Sequence, residues 1–80
     1  MQIEWIYAGE SDPATEYRRA GVTVSVQVLC YDEDGEMYIA RLHGHNNGTC
    51  YWKEETLVGI NTVIPNVVAW AYKPQTLFEH

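Results

Sequence analysis

Cationic side chains are scarce in this chain. Five Lys and Arg stand against eleven Asp and Glu, a formal net charge of -6. Phosphates repel such a surface, so direct nucleic-acid binding is disfavoured. The same charge favours solubility and suits a partner with a basic surface. Cysteine is scarcer still. Cys30 and Cys50 are the only two, too few for a disulfide scaffold. No apolar run is long enough to span a bilayer, and no basic segment with an apolar core opens the chain. The expected location is therefore the cytoplasm, with no membrane association.

Catalytic signatures are missing as well. There is no glycine-rich phosphate loop and no carboxylate pair in an apolar setting. Ser11, Ser25 and both cysteines lack a local nucleophile signature, and His43 and His45 are bases without a partner. We expect no enzyme and no cofactor. Asp32-x-Asp34-Gly35 matches the start of a calcium loop, but the twelfth position is His43, not the bidentate Glu. His43-Gly-His45 with the two cysteines fits no common zinc spacing. No metal site is expected. Asn47-Gly48-Thr49 reads as a turn, not as a glycosylation acceptor.

What is present is β-forming. Eighty residues make one domain, 1–80, with three Trp, six Tyr and one Phe to fill a modest core. Residues 22–28 alternate four valines with three polar residues, the period of a strand with one buried face. Asp32-Glu33-Asp34-Gly35 then turns the chain back. A three-residue loop, residues 33–35, pairs Asp32 with Glu36 and puts Tyr38, Ala40 and Leu42 on the face of Val24, Val26 and Val28. The alternative register would put Arg41 there, which is worse. Met37 and Ile39 then lie on a second apolar face that needs a cover.

The valine strand is expected over 22–31 and its hairpin partner over 36–42, with other strands at 2–7, 49–53 and 67–72 and Lys73-Pro74 ending the last. Asp12 and Pro13 read as N-cap and first position of a short helix, about 13–20, closed by Gly21. Residues 54–66 are hard to read, with a short strand or turn in 57–64. Residues 75–80 read as a flexible tail. The fold class is mainly β (α+β): a small curled antiparallel sheet or barrel-like fold of about five strands, with one short helix.

Strand pairing gathers acids. With 36–42 beside 49–53, Leu42 falls near Thr49, and Glu36 near Glu54 and Glu55. Asp32, Glu33, Asp34, Glu36, Glu54 and Glu55 would then share one end of the sheet and form a partner-binding knob. In this register Cys30 faces Tyr38 and Cys50 lies near Arg41, too far apart for a disulfide.

Trp5-Ile6, Val26-Gln27-Val28-Leu29, Asp34-Gly35, Tyr51-Trp52 and a Val-x-x-Trp-x-x-x-Pro strand from Val67 to Pro74 occur in that order. The pattern resembles small phage and prophage domains of unknown function. It departs from them at Ala71-Tyr72-Lys73, where such domains read Trp-Met-Pro-Leu-Pro, and in a longer 12–21 segment. The resemblance implies a phage-type accessory protein acting in a bacterial cell, with anti-CRISPR proteins as one analogous class. The expected function is a binding protein. It would inhibit or modulate a host protein or nucleoprotein complex, such as a CRISPR effector, by competing with nucleic acid for a basic surface. The alternative is a structural or self-associating module, with a homodimer as its form.

Overall fold

The computed structural model describes residues 3–55 and 62–73. They form an eight-stranded antiparallel sheet that does not close into a barrel, with no helix among the described residues. The strands are β1 (Ile6–Tyr7), β2 (Thr15–Arg19), β3 (Val22–Ser25), β4 (Val28–Asp32), β5 (Met37–His45), β6 (Cys50–Glu54), β7 (Val63–Ile64) and β8 (Val67–Tyr72). β5 is the spine. One edge pairs first with β4 and then with β3, and the other edge pairs with β6. Beyond β4 lie β8 and β1, beyond β3 lies β2, and beyond β6 lies β7.

Three expectations are corrected. The helix at 13–20 is a strand: β2 pairs with β3 from Thr15↔Ser25 to Arg19↔Val22. A two-turn helix here would have left the outer edge of β3 without hydrogen-bond partners. Ala20 and Gly21 both take positive φ, 50° and 79°, as a two-residue hairpin turn requires. The described residues hold eight strands rather than the five expected. β2 and β7 are added, and the expected strand at 22–31 divides into β3 and β4. The barrel-like option fails because the sheet stays open. The expected tail at 75–80 lies outside the described residues.

The division of the valine strand is a bulge. From Val24 to Val28 is four steps, but their partners on β5, His43 and Ala40, are only three apart. One extra residue on one strand reverses which side of the sheet faces what. Val28 and Cys30 therefore share a face with Ala40 and Tyr38, as the favoured register required. Val22 and Val24 instead lie on the opposite face, with His45 and His43. Ser25 repairs the interrupted ladder. Its Oγ accepts from the Leu42 N–H (2.8 Å) and donates to the Val26 carbonyl (2.8 Å). Arg41 Nη1 donates to the Ser25 carbonyl at 3.1 Å.

The core sits on the face of Val28, Cys30, Ala40, Ile64 and Trp70, flanked by Ile6, Val26, Tyr38, Trp52 and Val67. Trp70 is 1% exposed, the largest fully buried side chain among the described residues. Its indole Nε1–H donates to the Ser11 carbonyl at 2.8 Å. Residues 11–14 are held to β8 and to the bulge. The Ala14 N–H donates to the Tyr72 hydroxyl (3.0 Å), and the Ala14 carbonyl accepts from Val26 N–H (2.9 Å).

Candidate interaction surface

The acidic turn is built from the inside. Asp32 is buried. Its Oδ1 accepts from the Asp34 N–H (2.9 Å) and the Glu36 N–H (3.0 Å), and its Oδ2 accepts from the Tyr38 hydroxyl (3.2 Å). Backbone bonds from Asp32 N–H to Glu36 carbonyl (3.1 Å) and from Gly35 N–H to Asp32 carbonyl (2.9 Å) close the three-residue loop, with Gly35 at φ 83°. The bend between β7 and β8 anchors it, since Glu33 N–H donates to the Asn66 carbonyl at 3.1 Å. Glu33, Asp34 and Glu36 remain exposed. Asp32 is thus the internal support of the turn, not part of its outer surface.

Glu54 and Glu55 sit elsewhere. Leu42 pairs with Trp52 and Ala40 with Glu54, a register three residues from the expected one. That moves both acids about 10 Å along the strand from Glu36. The cause is a longer β5, which runs through Gly44 to His45 before turning over residues 46–48. Glu55 is bound to Arg41 Nε (2.8 Å) and to Gln27, while Arg41 Nη1 reaches Glu16 (3.1 Å). Glu54 stays on the core face, half-buried. Cys30 lies on that face too, and its thiol is pushed from 9.0 to about 11 by burial and by the charges of Asp32 and Glu54. Burial, the bond to Asp32 and nearby carboxylates raise the Tyr38 hydroxyl in the same direction.

The opposite face is partly uncovered and carries three chemistries in sequence along β5. Beside the acidic turn, Met37 is 55% and Ile39 37% exposed, and Tyr7 and Val63 on this face are also open. Register links them: Tyr31 pairs with Met37 and Ala69, Ala69 with Tyr7, and Leu29 with Ile39. Trp5 packs edge-on against Tyr31, ring centroids 4.9 Å apart. Arg41 follows, bridged by its two glutamates. Then come His43 and His45, both against Tyr51, with centroids 5.4 and 5.3 Å apart. Lys53 pairs with Arg41, and Arg19 lies across Val22 from His45. His43 is held below its ordinary value by burial and by the positive charges of Lys53, Arg41 and His45.

On the core face a pocket of about 90 Å³ lies between residues 12–15 and strands β3, β5 and β6. Asp12, Thr23, Ser25 and Cys50 are among its walls, but the Ser25 hydroxyl is already engaged. Cys50 is exposed and pairs with Gly44, not Arg41, and both cysteines are free thiols. Among the described residues no three His, Cys, Asp or Glu side chains group to hold a metal ion. No protein-family model, curated protein or solved structure matches the chain.

Proposed function

We propose that this chain is a non-enzymatic binding protein that engages a basic partner surface through its acidic turn and the apolar residues beside it. The observation that carries this reading is the internal bracing of the turn by Asp32. Four hydrogen bonds to Asp32 side-chain and backbone oxygens hold the loop in one conformation, so three exposed carboxylates are ordered before any partner arrives. Next to them, Met37, Ile39 and Tyr7 supply the apolar centre that a protein interface needs inside a polar rim. The resemblance to phage domains favours a partner in a bacterial cell. That partner would be a host protein or nucleoprotein complex whose basic groups otherwise hold nucleic acid.

The test is affinity capture from bacterial lysate at low and high salt, with the wild type and the triple variant E33K/D34K/E36K. All three positions are exposed, so the variant should keep the wild-type circular dichroism. The wild type should retain a partner that high salt elutes, and the variant should lose about tenfold or more in affinity. A partner held equally by the variant would refute the proposed surface.

A further inference from the structure

His43, His45 and Tyr51 form a cluster at the end of β5 away from the acidic turn. By spacing, the cysteines are the soft ligands nearest to the two histidines. The fold removes them: Cys50 pairs with Gly44 and so lies on the opposite face, and Cys30 is buried in the core. Tyr51 takes their place. His43 and His45 are two apart on β5, so both rings rise from one face about 7 Å apart. Tyr51 is the direct partner of His43 on β6. Its ring stacks on His43, with centroids 5.4 Å and planes 8° apart, and tilts against His45 at 5.3 Å and 34°. His45 Nε2 and the Tyr51 hydroxyl oxygen are 3.2 Å apart. All three residues are half-buried, so solvent reaches them.

That last distance is also the spacing of two ligands on one ion. Donors bound at about 2.0–2.1 Å stand about 2.9 Å apart at a right angle and about 3.4 Å apart at a tetrahedral angle. We infer that His43, His45 and Tyr51 form a binding site for a late first-row divalent metal ion, with Cu2+ held most tightly. Two imidazoles and a phenol suit Cu2+ and Zn2+. They do not suit Ca2+ or Mg2+, which take carboxylate and carbonyl oxygens, and Cu2+ leads the affinity order. The ion accepts the Nε2 lone pair of His45 and one from the Tyr51 oxygen, whose proton passes to solvent. His43 completes the set by turning about its side-chain bonds, and water fills the remaining positions. The ion stays Cu2+ throughout. Charge does not draw it in, since Arg19 and Lys53 stand near the rings while Arg41 is offset by Glu16 and Glu55. The bonds to the three donors hold it. The site is independent of the acidic turn and its partner.

The test is titration of Cu2+ into the full chain carrying Cys50→Ser, which removes an exposed thiol from the opposite face. Calorimetry and visible absorption are read together. One ion should bind per chain, with a phenolate-to-copper charge-transfer band. His43→Ala and His45→Ala should each weaken binding by at least about tenfold, since even outer-shell partners of a metal are worth that much. Tyr51→Phe should abolish the band, and His80→Ala should change nothing. High concentrations of a non-coordinating salt should not weaken binding, whereas copper scattered over surface carboxylates would be released. Absence of binding overturns the inference, and so does affinity unchanged in both histidine variants or lost to salt. Binding without the band overturns it as well, because Tyr51 is then no ligand. The band is read in the folded parent chain, so it decides the matter even where a variant is unstable.

Discussion

Single residues here are separated by burial more than by type. Cys30 and Cys50 have the same chemistry in different surroundings. Cys50 is exposed, while Cys30 is fully buried with its thiol pushed to about 11. A disulfide-exchange reagent near pH 8 should therefore titrate one thiol in the native chain and two in urea, because the thiolate is the reactive form. The same shift sets an alkaline limit. An unfolded thiol ionises near 9.0 and the folded one near 11, so this contribution to stability is complete below pH 9.0 and is lost as pH rises towards 11. Its size is on the order of 2 kcal/mol. Urea midpoints of the wild type should fall across that range more steeply than those of Cys30→Ala. A parallel decline would contradict the placement of Cys30. Asp32 teaches a related lesson. The sequence places it among six partner-binding acids, yet its neighbours' N–H groups and Tyr38 turn it inward. Composition marks a carboxylate, but only geometry separates a support from a contact.

Turns carry the legible part of the elements. Gly35 and its three-residue loop were readable because Asp34-Gly35 follows a strongly alternating strand. The same hydrogen-bond pattern recurs over residues 46–48: Gly48 N–H donates to the His45 carbonyl (3.0 Å) and His45 N–H to the Thr49 carbonyl (2.7 Å), with Gly48 at φ 90°. Asn47-Gly48 repeats the spacing of Asp34-Gly35, and that signal would have corrected the β5–β6 register and moved Glu54 and Glu55. The strand at 15–19 was unreadable for another reason. Asp12-Pro13 and a closing Gly21 satisfy helix capping and hairpin chemistry alike, and only pairing with β3 decides between them. Ala20 is the weak point of that hairpin, since φ 50° disfavours a Cβ-bearing residue other than Asn or Asp. Ala20→Asn should stabilise by about 0.5 kcal/mol, a gain of a few degrees in Tm. Gly21→Ala should cost about 1 kcal/mol or more, because φ is 79° and the new Cβ would meet Asn46 Nδ2 at 2.8 Å. Thermal melts of both variants check the pair, and equal Tm values would contradict the turn.

For the whole molecule, a small core makes each large side chain decisive. Stability of a chain of this size is about 4–12 kcal/mol. Trp70 is fully buried, and its indole ties residues 59 positions apart. Trp70→Ala should cost about 3–5 kcal/mol through lost burial and an unfilled cavity. The variant should show a broadened or absent thermal transition, whereas a Tm within a few degrees of wild type would place the core elsewhere. The bulge between Val24 and Val28 has a different reach. It acts as a phase shift within one polypeptide, placing the β2–β3 hairpin half a period out of step with the strands that enclose the core. A change of one residue in the length of 25–27 exchanges the inner and outer sides of that hairpin while leaving Val28, Cys30 and Trp70 where they are. Length, not substitution, is thus the shortest route by which this chain can rewrite one end of its surface and keep its interior.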